Sequence, residues 1–144
     1  MSEQDSMAPA GTILSLGAIR VADLAKSTEF YTAGCGFEVE REFSTPGFDA
    51  VILRAGSAGI ELIAPRDDAR APQPGNMFVK FVLNTPDVSA LLAQACGHGG
   101  VEETPATALP EFGGITIAVL RDPDGYRVEL VERPSGTTRQ SGDR

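Results

Sequence analysis

The chain has 144 residues, 42% of them hydrophobic, which is enough for one domain with a core of its own. Its formal net charge of −8 argues against a nucleic-acid partner and against binding to an anionic membrane surface, because both need a basic face. Two cysteines, Cys35 and Cys96, are too few for a disulfide framework, so we expect a reduced, cytoplasmic protein.

The first half of the chain predicts a strand, a helix and three further strands, over residues 12–21, 24–33, 37–43, 48–55 and 59–64. The first segment is apolar and partly β-branched, as strands are. The second does not fit a period of two, and Asp23 can cap it as a helix. The third alternates between apolar and acidic side chains, which is typical of a strand with one exposed face.

The second half predicts the same order again, over residues 77–84, 87–96, 101–107, 114–121 and 126–132. Thr85 as the cap and Pro86 in the first turn are typical of a helix start, and the glycines after Cys96 are typical of a helix end. Asp122 and Asp124 belong to an Asp-Pro-Asp-Gly segment, which predicts a tight turn between the last two strands.

The domain organisation is one domain built from two similar modules. Ala22-Asp23-Leu24 opens the first helix, Pro86-Asp87-Val88 opens the second, and residues 60–63 resemble residues 128–131. Each module has a sheet with a helix on one face, so its other face is covered by the partner module or forms a cup for a ligand. The predicted boundaries are a flexible tail at 1–11, module one at 12–65, a polar linker at 66–76, module two at 77–133 and a second flexible tail at 134–144.

Three segments resemble the vicinal-oxygen-chelate superfamily, which includes glyoxalases, bleomycin-resistance proteins and extradiol dioxygenases. They are IRVADLAKSTEFYTAGCGF, GIELIAP and LRDPDGYRVELVE, and the resemblance runs from about residue 12 to residue 133. It implies an α+β fold in which two βαβββ modules pair their mixed sheets into a cup-shaped, barrel-like site. For the drug-resistance branch it also implies a homodimer with sites between the subunits.

In metal-using members of the family, histidine and glutamate ligands come from the first and last strands of each module. Glu61 and Glu129 match the glutamate positions. The first histidine position falls on Leu16, and the second falls on Lys80, or on Phe78 if the Thr-Pro bend adds residues. We expect Lys80 and Phe78 to lie on the same strand face. Whichever of them takes the histidine position therefore lines the substrate site together with Leu16.

The resemblance therefore predicts a site without the usual metal ligands. The single histidine, His98, lies in a glycine-rich turn after the second helix, where we expect a surface side chain. Two carboxylates suit Mg²⁺ or Ca²⁺ only with further oxygen ligands, and they suit Zn²⁺ or Fe²⁺ poorly. We expect no cofactor, while a divalent ion with additional ligands stays open.

The charged and aromatic candidates each have a functional and a structural interpretation. Lys80 lies in an apolar strand and needs a partner, for which Glu61 and Glu129 are the natural choices, or else it extends to water from an edge strand. The two glutamates either line the cup or are the polar members of an ordinary alternation. Arg127, on the face of Glu129, binds an anionic substrate group or a surface carboxylate. Tyr31 lines the site or packs in the core, where its hydroxyl needs a polar partner.

These observations leave four functional hypotheses. The first is a metal-independent enzyme of lyase or isomerase type, in which Glu61 and Glu129 divide acid and base roles on a small carbonyl-containing metabolite and Lys80 keeps one glutamate ionised. The second is a small-molecule binding or drug-sequestering protein, for which the aromatic content of 6% argues against stacking of a large planar drug. A metal-dependent lyase or dioxygenase with an atypical ligand set is the third, and a subunit with a decayed site is the fourth.

Overall fold

The computed structural model of the chain describes residues 8–67, 71–73 and 75–134. Most of both predicted tails, residues 1–7 and 135–144, lies outside the described residues, as does part of the predicted linker, residues 68–70 and 74. The tails and the linker therefore stay predictions.

Both modules contain the predicted order of one strand, one helix and three strands. Module one consists of β1 Gly17–Arg20, α1 Leu24–Glu29, β2 Glu38–Ser44, β3 Phe48–Ala55 and β4 Ala58–Pro65. Module two consists of β5 Phe81–Asn84, α2 Val88–Cys96, β6 Val101–Leu109, β7 Ile115–Arg121 and β8 Arg127–Glu132. A π-helical turn at Phe30–Gly34 follows α1, and a 3₁₀ turn at Pro110–Phe112 precedes β7.

The strands form two four-stranded mixed sheets within the described part of the chain, so the predicted α+β fold of two βαβββ modules is confirmed. The strand orders are β1-β4-β3-β2 and β5-β8-β7-β6. The β1–β4 and β5–β8 pairs are parallel, and the other pairs are antiparallel. The two sheets are not closed into a barrel, since β1 and β5 each pair on one side only among these residues.

The first predicted helix changes its character halfway. It continues from α1 into the π-helical turn, which contains the adjacent aromatic residues Phe30 and Tyr31, both buried. The two rings pack edge-on against each other at 4.7 Å between centroids. The local sequence did not indicate this change of helix type.

The second helix begins later than predicted, and its cap is Asp87 rather than Thr85. The Asp87 side chain accepts a hydrogen bond from Ala90 N at 3.0 Å, while the Thr85 hydroxyl accepts one from Asp87 N at 3.2 Å. Aspartate is as good a cap as threonine, and the position nearer the helix satisfies an N–H of its first turn. In α1 the predicted cap is confirmed, because Asp23 accepts from Lys26 N at 3.0 Å.

The predicted strand over 77–84 was too long, because β5 begins at Phe81. The Phe78 ring turns into the core, where it packs edge-on against Phe81 at 4.9 Å and Tyr126 at 5.5 Å between ring centroids. Lys80 instead reaches Glu129. The expectation that Phe78 and Lys80 share one strand face was therefore wrong, because the residues before β5 are not held in a sheet ladder.

A single core joins the two modules through the helices and the turn between β7 and β8. The buried hydrophobic residues of both sheets and both helices form one cluster. Asp122 is 2% exposed and accepts hydrogen bonds from the Tyr31 hydroxyl at 2.8 Å and from Tyr126 N at 2.9 Å. The Asp124 carboxylate accepts from Ala22 N at 3.0 Å. The two aspartates, expected only to form the turn, also connect module two to module one.

Each sheet packs one face against the core and leaves the other accessible. In β4, Ile60 and Leu62 are buried while Glu61 is half-buried, and in β8 Val128 and Leu130 are buried on either side of Glu129. We name the accessible sides the first open face (Ala18, Ile52 and Glu61) and the second open face (Lys80, Val82, Val119, Arg127 and Glu129). No helix in the described residues has the length and hydropathy of a membrane span.

Candidate functional site

The two predicted glutamates occupy equivalent positions in the two modules. Glu61 is paired in register with Ala18 of β1, and Glu129 is paired with Val82 of β5. Paired residues of neighbouring strands point to the same side of a sheet, so each glutamate shares its open face with its partner. The sequence repeat therefore places one carboxylate at the same position in each module.

Lys80 and Glu129 form an ion pair on the second open face. Their side chains are 40% and 18% exposed, and Lys80 Nζ donates to Glu129 Oε1 at 2.6 Å. Lys80 lies two residues before Val82, and Leu16 lies two residues before Ala18. The register therefore assigns Lys80, rather than Phe78, to the position equivalent to Leu16.

Glu61 has a different environment from Glu129. Within the described ranges its carboxylate has no hydrogen bond or ion pair, and it is flanked in register by Ala18 and Ile52. Leu16 is half-buried just before β1. The structure of one chain brings together Lys80 and Glu129 but does not join Glu61 to either of them.

Arg127 pairs with Glu103 rather than with Glu129. Its Nε and Nη2 atoms donate to the two Glu103 oxygens at 3.2 and 3.0 Å, and Arg121 Nε donates to Glu103 Oε1 at 3.0 Å. These bonds lower the pKa of Glu103, and the hydrogen bond from Arg127 is the largest cause. Sequence reasoning missed Arg121 and Glu103. Arg121 was recoverable as the cross-strand neighbour of Arg127, whereas the irregular pairing of β6 concealed Glu103.

Two further predicted site residues belong to the core. Tyr31 is 1% exposed, and burial is the main reason why its pKa lies far above the ordinary value, so it stays a neutral donor to Asp122. Phe78 packs on core aromatic rings. Packing accounts for Phe78, whereas Tyr31 also borders an apolar cavity.

Neither cysteine has the environment of a nucleophilic thiol, and the histidine lies away from the open faces. Burial, followed by the nearby Asp122 carboxylate, raises the pKa of Cys35 to about 12, which keeps its thiol protonated at neutral pH. Burial is also the main cause of the raised pKa of Cys96. His98 Nδ1 lies 3.0 Å from Glu29 Oε2 on the helical side of the molecule.

The residues at the family's ligand positions do not fit a divalent metal ion. Leu16 has no ligand atom, and the Lys80 ammonium occupies an oxygen of Glu129 that a metal would need. Among the described residues, no group of three or more His, Cys, Asp or Glu side chains is arranged to hold a metal. The positive charge next to Glu129 is the ammonium group of Lys80.

An apolar cavity of about 500 Å³ lies near the free edges of β1 and β5. Its lining includes Gly17, Phe37, Phe81, Val82 and Leu91. Glu61, Glu129 and Lys80 are not part of this lining. The cavity has the size of a small-ligand pocket, although it is open to solvent.

Comparison with known proteins agrees with this fold. The chain is 31% identical over 120 residues to the lactoylglutathione lyase GLX1 of Arabidopsis thaliana, covering 79% of this chain but 42% of that protein. It is 32% identical over 122 residues to a probable lactoylglutathione lyase of Vibrio cholerae, covering 79% of this chain and 86% of that one. The chain thus spans less than half of the plant relative's length.

Solved structures with the same architecture include two glyoxalase I proteins. The Zea mays structure has a TM-score of 0.75 at 25% identity, with 84% of this chain and 44% of that chain covered. The trypanothione-dependent glyoxalase I of Leishmania major has a TM-score of 0.72 at 26% identity, with 85% and 87% covered. The profile of the glyoxalase, bleomycin resistance protein and dioxygenase superfamily matches residues 12–130. The chain belongs to the Glyoxalase/Bleomycin resistance protein/Dioxygenase superfamily.

Proposed function

We propose that this protein is a metal-independent enzyme of the superfamily that transfers protons on a small carbonyl-containing metabolite. The observation that carries the proposal is the 2.6 Å ion pair between Lys80 and Glu129. The family resemblance implies that metal-using members have ligands at these two positions. In this site an ammonium supplies the fixed positive charge, and no step passes through a metal. The relatives named as lactoylglutathione lyases support lyase chemistry in this family.

Glu129 is the base in this proposal. Lys80 contacts its Oε1 atom, and Oε2 has no partner in the described part of the chain, so Oε2 is available to accept a proton from carbon. The C–H electron pair moves toward the substrate carbonyl, whose oxygen becomes negative and is stabilised by the Lys80 ammonium. Return of a proton to carbon or to a leaving group, with Glu61 as the second carboxyl group that carries it, completes an isomerisation, a cyclisation or an elimination.

Glu61 and Glu129 are not in contact within one chain, and we propose that a second copy of the chain brings them together. The edges of β1 and β5 are unpaired within the described residues. Exposed apolar side chains lie at or next to both edges, namely Ile13, Leu14, Met77, Val79 and Val82. Unpaired edges with apolar neighbours favour association with another copy. We therefore propose a homodimer in which the first open face of one protomer lies opposite the second open face of its partner.

The direct test of this chemistry is exchange of α-protons for solvent deuterium. We expect the wild-type protein to exchange α-protons of at least one compound among pyruvate, 2-oxobutyrate, hydroxyacetone and S-lactoylglutathione in D₂O, at the same rate with and without EDTA. Proton NMR of the substrate measures the rate. Loss of exchange in EDTA, with recovery on adding Ni²⁺ or Zn²⁺, would instead establish the metal-dependent alternative.

Mixing two inactive variants tests whether the site is shared between protomers. Glu61→Gln and Glu129→Gln chains, refolded together in equal amounts, are expected to recover about a quarter of wild-type exchange, because half of the dimers are mixed and each has one complete site. The readout is the panel compound that the wild-type protein exchanges fastest. Activity no greater than the mean of the two separate variants would contradict a shared site.

The apolar cavity favours one second candidate, a small-molecule binding protein. In that case a ligand binds at the free edges of β1 and β5 and is recovered chemically unchanged. The two functions differ in their dependence on Glu129. Binding that survives Glu129→Gln, in a wild-type protein that exchanges no α-proton of the panel, would favour the binding protein.

A further inference from the structure

Two arginines face each other on the second open face, next to Glu129. Arg121 of β7 and Arg127 of β8 are directly paired in register. Like charges directly opposite each other destabilise a sheet unless an anion lies between them. Glu103 supplies that anion by contacting both guanidinium groups, while Arg121 Nη1 also donates to Gly125 O at 2.9 Å. Both arginines are thus held in a defined position.

One carboxylate does not balance this pair of arginines. The ion pairs on this face join three cations, Lys80, Arg121 and Arg127, to two carboxylates, Glu103 and Glu129, so the cations outnumber their partners by one. This excess occurs on a chain whose net charge is −8. Among the described residues, Arg121 Nη2 and Arg127 Nη1 have no hydrogen-bond partner, and both side chains are partly exposed. Donors and charge are therefore available to an anion from solution.

We propose that Arg121 and Arg127 form an oxyanion subsite, and that the substrate carries a carboxylate or phosphate group close to its reacting carbonyl. The inference rests on the proposed function, because it places this group beside the carbon on which Glu129 acts. Arg127 and Glu129 are two residues apart on one strand face, about 7 Å along β8. This separation suits an anionic group one or two bonds from the reacting carbon. The substrate class is then a 2-oxo acid or a phosphorylated oxo compound.

The test is NMR titration of the wild-type protein with pyruvate, with inorganic phosphate and with methyl pyruvate as the uncharged analogue. We expect pyruvate or phosphate to shift the amide signals of β7 and β8, and methyl pyruvate to bind about tenfold more weakly or not at all. Arg127→Gln is expected to weaken anion binding by about tenfold, since it removes a charged donor. Arg66→Gln is the matched control, because Arg66 also pairs with a carboxylate, that of Asp49, and is similarly exposed.

Glu103→Gln provides a second variant, whose expected effect is tighter anion binding. Unfolding cannot produce that effect. It removes the carboxylate that competes for both guanidinium groups, so anion binding should tighten several-fold. A response to phosphate alone assigns phosphorylated substrates, and a response to pyruvate alone assigns carboxylates. Equal affinities of the Arg127→Gln and Arg66→Gln variants, or equal binding of methyl pyruvate and pyruvate, would overturn the subsite.

These titrations need no turnover, so the subsite and the proposed function can fail separately. Arginine-dependent anion binding without any α-proton exchange would retain the subsite and reject the enzyme. Exchange that depends on Glu129 but not on Arg127, and on a neutral substrate, would retain the enzyme and reject the subsite.

Discussion

Replacing Glu129 by glutamine is expected to lower the rate of α-proton exchange by about 10²- to 10⁴-fold, the usual contribution of a positioned general base. Glutamine has the same shape as glutamate, and its amide oxygen can still accept the hydrogen bond from Lys80. The fold and the substrate contacts therefore remain. Because glutamine is not a base, the acceptor for the substrate proton is lost. The measurement is deuterium incorporation into the best panel compound, together with a urea denaturation curve for the variant.

Glu29→Gln is the matched control for this prediction. Glu29 also contacts a nitrogen side chain, that of His98 at 3.0 Å, but it lies on α1, away from the open faces. Its exchange rate should equal that of the wild type. Lys80→Met should lower exchange and Lys80→Arg should restore part of it, because a cation beside the developing oxyanion is then kept. A Glu129→Gln variant with wild-type exchange would reject the proposed mechanism.

Replacing Asp122 by alanine is expected to destabilise the fold by about 3 kcal/mol, because it leaves several buried hydrogen-bond donors without an acceptor. The buried Tyr31 hydroxyl loses its acceptor at 2.8 Å, and the N–H groups of Asp124 and Tyr126 lose theirs at 2.9 Å. Because the bond from Tyr31 connects the two modules, the loss affects both of them. Urea denaturation measures the change. Asp87→Asn, which keeps an exposed helix cap, should change stability by less than about 0.5 kcal/mol.

The pH dependence of stability provides an independent check on Asp122. Burial is the main reason why the pKa of this carboxyl is raised in the folded chain, and the hydrogen bond from Tyr31 opposes that shift. Between the ordinary aspartate pKa, about 3.9, and the raised value, the folded state binds more protons than the unfolded state. The free energy of unfolding contributed by Asp122 therefore falls as pH rises through this interval and is constant below it.

Asp122→Asn isolates this contribution, because asparagine keeps the shape and one acceptor oxygen but does not titrate. Wild-type stability relative to this variant should increase on acidification through the interval. Denaturation curves measured between about pH 3 and pH 8 cover it. A difference that is flat over the whole range, or that decreases on acidification, would contradict the raised pKa of Asp122.

The element order and the positions of the glutamates could be predicted from the sequence because they depend on local patterns. Alternation around Glu61 and Glu129 identifies strands with one polar face, and Asp23, Thr85-Pro86 and the glycines that follow the helices identify the two helices. The repeat of these patterns in both halves is sufficient for the two-module α+β fold. What local patterns predicted poorly was where strands begin, as at Phe81, and the π-helical turn in which both Phe30 and Tyr31 are buried.

By itself, the sequence determined that this protein has two βαβββ modules, two matching glutamates and no histidine at either family position. Only the tertiary structure decided that Lys80, rather than Phe78, is equivalent to Leu16, because that equivalence depends on the register of the parallel ladders. It also decided that Arg127 contacts Glu103 and that Asp122 holds Tyr31, contacts that join residues 24 and 91 positions apart in the chain. Such pairs arise from packing between strands and modules, for which a linear pattern has no period.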